Sequence, residues 1–255
     1  FGIFLIMKRV YLLFLLILLT PDSLYAFDIS GLQPVAPYGV FSTFSAESLP
    51  ANRYAFEFGL DRSREPNFNR ISFRGAYGIS DALEFNVTVP YIYSYENSTD
   101  GMEDISFGLK HRFYEEGKYG PSLAYILNVS VDNGRPEFST EGRFGVGLVI
   151  SKRVGPFKGN VNVFYEKPGT GRLKDEITFL GGVELAASHN LTFLGEFLAR
   201  KSHFSNEYDQ LETRFGYRLR TTESIYTTFG AGVALNNSSP EFRFLVSVSF
   251  IPAQG

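Results

Sequence analysis

The sequence predicts an all-β chain, an up-and-down antiparallel transmembrane β-barrel of 12 strands. Three observations carry that reading. Beyond Tyr54, apolar residues recur at every second position in twelve separate segments, which places one set of side chains on each face of a sheet. The connections between these segments alternate between long and short. The composition favours strands, with 26 Phe, 15 Tyr and 25 Gly against 2 Met and no Trp. Helix is the competing reading, and it fails because glycine and β-branched residues interrupt the segments and none has apolar spacing of three and four.

Charge and cysteine usage remove several function classes. Twenty-four Lys and Arg against 27 Asp and Glu leave a net charge of −3, so no bulk field recruits nucleic acid. The absence of Cys excludes disulfides, thiolate metal sites and a Cys nucleophile. Three His remain for acid–base or metal chemistry: His111, His189 and His203.

The chain opens with an address. Met7, Lys8 and Arg9 precede an apolar run from Val10 to Leu19 and a polar stretch ending Ser23-Leu24-Tyr25-Ala26. A basic start, a short apolar core and a small residue before the cut describe a secretory signal peptide over 1–26, cleaved after Ala26, with 1–6 as upstream read-through. The apolar run falls short of the roughly 20 residues that a membrane-spanning helix needs. Residues 27–53 carry Pro34, Pro37 and Pro50 and no clean alternation. They are expected to lie in the periplasm or to tuck into the lumen as a plug, where Phe27, Tyr38, Phe41 and Phe44 suit contact with a barrel interior.

The barrel is expected over 54–251, beginning with Tyr54–Leu60, Ile71–Ile79 and Leu83–Tyr91. It continues through Ile105–Phe113, Leu123–Val131, Phe144–Ile150, Val161–Tyr165, Ile177–Leu185, Leu191–Ala199, Leu211–Leu219, Ile225–Leu235 and Phe242–Phe250. The connections at 61–70, 94–104, 132–142, 166–175 and 200–210 are long. Those at 80–82, 187–190 and 220–224 are short, 114–120 is intermediate, and 153–159 and 236–241 complete the series. Long external loops and short periplasmic turns are the habit of outer-membrane barrels, and an even strand number returns both barrel ends to the periplasmic side. Twelve strands enclose a lumen too wide for one face's large side chains to fill, so the apolar set is assigned to lipid and the mixed set to a hydrated interior. Tyr77, Tyr91, Tyr93, Phe113, Tyr165, Tyr217 and Phe250 fall near strand ends, where an interfacial aromatic belt would sit.

With that orientation the inward charges are candidate pore-lining residues: Glu57, Arg74, Glu84, Lys110, Arg112, Arg143, Glu184, Glu196, Glu212, Arg214, Arg218 and Arg243. Folding each hairpin about its loop midpoint brings three opposite charges into register: Glu57 with Arg74, Glu84 with Arg112, and Glu196 with Arg214. Lys110, Arg143, Arg218 and Arg243 are left without partners, a slightly positive lining of the kind that sorts solutes by charge. The alternative reading of these charges is a structural ladder.

The segments YGISDALEFNVTVPYIY (77–93) and GMEDISFGLKHRF (101–113) add a resemblance. Tyr77-Gly78, Asp81, Val89-Pro90-Tyr91, and Gly101 with Asp104 resemble the recurring pattern of bacterial outer-membrane proteins of the MetA-pathway phenol-degradation family, also called transporters. The segments 150–165 and 39–50 are similar in style. The resemblance implies an outer-membrane barrel admitting small aromatic or hydrophobic solutes, inserted by the outer-membrane assembly machinery, with no catalytic residues and no cofactor. The sequence departs from such barrels in continuing past Phe250 with IPAQG.

An enzymatic reading needs a nucleophile, a base and an orienting group at one height, and neighbouring strands offer no such Ser–His–acid set. His111 has a lipid-facing phase, His189 sits in a short turn and His203 in a long loop. Asp100, Glu103 and Asp104 read as a solvated acidic loop. The sequence therefore points to a channel for passive passage of small solutes in contact with membrane lipid. The alternative is a closed barrel that serves as a scaffold or sheath for a protein partner.

Overall fold

A computed structural model describes residues 31–95, 99–171, 173–202, 209–237 and 239–252. The leader expected over 1–26, Phe27 and His203 lie outside the described residues. In chain order the strands are β1 (Gly39–Val40), β2 (Thr43–Phe44), β3 (Tyr54–Arg64), β4 (Phe68–Gly78), β5 (Leu83–Tyr95), β6 (Thr99–Met102), β7 (Ser106–Tyr114) and β8 (Ser122–Ser130). They continue as β9 (Arg143–Val154), β10 (Phe157–Pro168), β11 (Glu176–Ala186), β12 (Leu191–Ser202), β13 (Gln210–Arg220), β14 (Ile225–Ala234) and β15 (Phe242–Phe250).

Twelve of these form the wall. β3, β4, β5 and β7 to β15 pair antiparallel with their neighbours in chain order, and β15 returns to β3 with Phe250 opposite Phe56 and Val248 opposite Phe58. Closure leaves no edge strand, the condition under which a sheet can meet lipid without unpaired backbone groups. β6 lines up beside the far end of β5 within the β5–β7 connection, and β1 and β2 make a small hairpin of their own. The tightest turn, Gly155-Pro156, has Gly155 at φ 59, the sign that the first central residue of a primed hairpin turn requires.

Alternation sets the two faces. On β3 the side chains of Tyr54, Phe56, Phe58 and Leu60 are 41–49% exposed, while Ala55 and Glu57 between them are buried. Aromatic pairs bridge neighbouring strands on the outer surface, Phe56 with Phe73 at 5.9 Å and Phe85 with Phe107 at 6.2 Å between ring centres. The outward phase of β3 then continues as Arg62 and Arg64, so the wall extends past the apolar band into polar surroundings. The same extension shortens the connections expected from the sequence. The 61–70 stretch shrinks to 65–67, and 153–159 shrinks to the Gly155-Pro156 turn. The apolar signal stops at the membrane boundary, whereas the hydrogen-bonded ladder continues into water.

The interior departs more strongly from expectation. Among the inward positions of β8 to β12 is an apolar patch: Ala124 and Ile126 on β8, Val149 on β9, Phe164 on β10, Leu180 on β11 and Leu198 on β12. They pack with Leu32, Phe44 and Ala46, so residues 31–50 run inside the barrel and complete a core there. A wide barrel can hold an apolar inner surface because a second piece of chain fills it. Close approach fixes two glycines: a Cβ at Gly78 would lie 2.1 Å from the Pro50 carbonyl oxygen, and one at Gly230 would lie 2.3 Å from the Phe41 ring.

The outward assignment makes a direct prediction. Val163 sits mid-strand on the outer face of β10. Val163→Arg is expected to destabilise the barrel in lipid by about 2–4 kcal/mol, read from denaturant unfolding in vesicles.

Candidate functional site

The site is the lumen and the segment within it. Its geometry follows from three inward carboxylates, each shared between a cation of the wall and the backbone of residues 31–50. Glu57 on β3 accepts from Arg74 Nη1 at 2.9 Å through Oε1 and from the Ala36 amide at 2.7 Å through Oε2. Arg74 Nη1 donates in turn to the Pro34 carbonyl at 3.4 Å. Glu84 on β5 pairs with Lys110 Nζ at 3.0 Å and accepts from the Leu49 amide at 2.7 Å, while Lys110 Nζ donates to the Glu47 carbonyl at 2.6 Å. Glu196 on β12 pairs with Arg214 Nη1 at 3.0 Å and accepts from the amides of Ser42 and Thr43, both at 2.8 Å. Arg214 Nη1 also donates to Ser42 Oγ at 2.7 Å.

Each pair thus offers the segment one acceptor and one donor, the complement of an extended backbone. Neutral side chains complete the docking. Asn162 accepts from the Phe44 amide at 2.6 Å and donates to the Phe44 carbonyl at 2.9 Å, and Ser151 Oγ accepts from the Ala46 amide at 2.8 Å. Backbone groups buried in a lumen must find partners, and here the wall supplies them.

Two of the three expected pairs, Glu57–Arg74 and Glu196–Arg214, stand directly opposite each other in the ladder. The third is corrected: Glu84 faces Lys110, and Arg112 lies at the turn end, donating to the Asp81 carbonyl at 2.8 Å. The β5–β7 hairpin is offset by two residues from its loop midpoint, which keeps the charged face inward but changes the partner. The four cations expected to be unpaired are also corrected. Lys110 pairs with Glu84, Arg143 with Glu166 at 3.1 Å, Arg218 with Glu184 at 3.0 Å, and Arg243 with Asp61 at 2.8 Å. Glu212, an inward position in the sequence, accepts from Arg214 Nε at 2.7 Å and lies 3.3 Å from Arg243 Nε.

Sequence reasoning missed Asp61, Arg70, Glu103, Lys158 and Glu166, which it placed in connections. Arg70 is held at 2.6 Å from Glu103 and 3.2 Å from Asp61. Asp61, Lys158 and Glu166 keep the inward phase of their strands, and extending that phase past the last apolar residue would have found them. His111 rests on the outer face with its ring 5.2 Å from that of Tyr125.

At the short-turn end Glu47 closes the segment. Its carboxylate lies 2.6 Å from Lys158 Nζ and 3.6 Å from Arg153. Burial alone would raise the Glu47 carboxyl, but Lys158 and Arg153 outweigh it and hold it below its ordinary value of 4.5.

Two cavities flank the segment. The inner one, about 90 Å³, lies between residues 31–42 and the wall of β3, β4, β8 and β10 to β15. The other, about 340 Å³, opens at the short turns among Tyr38, Glu47, Lys158, His189 and Tyr226. Arg218 lines both.

No family model matches the chain, and no curated protein matches it in sequence. Solved structures do match its fold. The COG4313 outer membrane channel from Pseudomonas putida F1 superposes with a TM-score of 0.63 at 12% identity, over 81% of this chain and 98% of that one. The NanC porin gives 0.62 at 10% identity over 76% and 98%, and the KdgM porin 0.59 at 9% identity over 77% and 98%. The chain has the fold of an outer-membrane β-barrel. Its exposed aromatic exterior is the surface that such a membrane requires.

Two outcomes test this docking. Glu196→Ala removes the acceptor of Ser42 and Thr43 and leaves Arg214 without one of its carboxylates. It is expected to cost roughly 3 kcal/mol of docking and to lower amide-exchange protection at 42–44 about a hundredfold. Arg112→Ala, which has no bond to the segment, is expected to leave that protection in place. Because the Glu47 carboxyl is depressed, its contribution is intact above pH 4.5 and lost as pH falls through the lowered value. Protection factors at 46–49 should hold from pH 7 to 5 and fall only as the pH drops below 4.5.

Proposed function

We propose that the chain is an outer-membrane channel through which small solutes pass passively, with residues 31–50 narrowing the lumen. The observation that carries the reading is the pair of cavities on either side of the segment, which share Arg218. Of the lumen charges named at the outset, Glu57, Arg74, Arg214, Arg218 and Arg243 line the inner cavity and Glu184 the outer one. Six arginines reach the inner cavity (Arg70, Arg74, Arg200, Arg214, Arg218 and Arg243) against Glu57, Asp61 and Glu166. The carboxylates Glu103, Glu184, Glu196 and Glu212 neutralise several of these arginines from outside the cavity's lining. The lining itself thus holds more guanidinium groups than carboxylates, and those donors favour an anionic solute. The channel and porin folds that this barrel shares support the reading, and the resemblance to the phenol-degradation family adds aromatic solutes to those worth testing. The close packing of residues 31–50 against Phe164 and Leu198 favours a second reading, a closed barrel that serves as a scaffold for a partner.

Single-channel recording of the refolded full chain in a planar bilayer separates the two. The channel reading expects discrete openings and a reversal potential displaced toward the anion in a KCl gradient. Arg218→Ala, which leaves Glu184 the surplus charge, should move that potential toward the cation. Silence from protein that still migrates as an SDS-resistant barrel would overturn the channel reading in favour of the scaffold.

A further inference from the structure

The inner cavity has two unlike walls. The strands β10 to β12 present Phe164, Leu180 and Leu198, and Leu32 of the inner segment adds to the same side. Across the ring of strands, β3, β4 and β15 present charge, including Arg74 and Arg243. In the closed order of twelve strands β10 stands opposite β3, so Phe164 and its apolar neighbours face Arg74 and Arg243 across the lumen, with Glu166 and Arg200 at the edge of the apolar side. A lumen that sorted inorganic ions by charge alone would have no use for an apolar half, because apolar surface gives a hydrated ion nothing in exchange for its water.

The polar atoms at the lining add a second observation. Arg74 Nε, Arg218 Nε and the hydroxyls of Thr178 and Thr228 all belong to lining residues, and all lack a hydrogen-bond partner among the described residues. Arg218, Thr178 and Thr228 are each more than nine-tenths buried. Buried donors without partners are costly, and a site for an oxygen-bearing ligand gives them a role.

Resting on the channel reading, we infer that this cavity is a binding site for a small amphipathic carboxylate, an anionic head on an apolar tail or ring. The head lies on the arginine wall, where guanidinium groups offer paired donors to a carboxylate. The tail lies against Phe164, Leu180 and Leu198, where it leaves water. Neither half of the ligand is sufficient: acetate meets only the charged wall, and a neutral amide of the same length meets only the apolar one.

Titration calorimetry of the refolded full chain with hexanoate, acetate and hexanamide tests this, with block of KCl current by the same three probes as a parallel reading. Hexanoate is expected to bind at least about tenfold more tightly than either of the others, a difference of about 1.4 kcal/mol. Leu198→Asn, or the milder Leu198→Ala, should shrink the hexanoate-to-acetate ratio. Equal binding of acetate and hexanoate would make this a plain anion site and overturn the inference. Equal binding of hexanamide and hexanoate would make it an apolar pocket and overturn it as well, as would absence of hexanoate binding to a conducting barrel. Hexanoate binding to a barrel that passes no KCl current would refute the channel reading while leaving the site in place.

Discussion

The interaction on which this structure turns is the inward ion pair whose two members are each also bonded to the inner segment. Glu57–Arg74, Glu84–Lys110 and Glu196–Arg214 each place a carboxylate and a cation side by side on adjacent strands, within reach of residues 31–50. A buried ion pair recovers its desolvation cost only when its remaining donors and acceptors are satisfied. Here the segment's amides, two of its carbonyls and the Ser42 hydroxyl satisfy them, and the pairs satisfy the segment in return. Removing either leaves the other with buried polar groups and no partner. That mutual dependence lets a stretch with three prolines and only two-residue strands hold one path through a wide lumen.

The bilayer imposes the second constraint. Every backbone group of the wall must be paired within the wall, which closure of β15 onto β3 achieves, and every outward side chain in the apolar band must be lipid-compatible. The inner face is under no such demand. It carries ion pairs around the ring and, among them on β8 to β12, an apolar patch from Ile126 to Leu198, and both are used. The patch seats Leu32 and Phe44, while the charges fix the backbone between and beyond them. The two cavities are the space left by this arrangement, and their chemistry is inherited from it.

Much of this was legible in the sequence. Strand number, the direction of each face and the inward placement of Glu57, Arg74, Glu196 and Arg214 all follow from a period of two that each strand displays by itself. Strand ends were less legible, because Arg62, Arg64, Lys158 and Glu166 continue ladders after the apolar signal has stopped. The apolar inner surface was not legible either: Ile126, Leu180 and Leu198 resemble ordinary strand residues until Phe44 is placed against them.

The sequence by itself determined which residues point inward, because alternation is a property of one strand. Only the tertiary structure decided which inward residues meet. A shift of one residue between neighbouring strands turns a face over and would show in the pattern, but a shift of two preserves it. Glu84 therefore could face Lys110 or Arg112 with the same alternation, and the three-dimensional pairing of β5 with β7 selects Lys110. The Glu47 contact with Lys158 likewise spans 111 positions, a separation over which no local periodicity carries information.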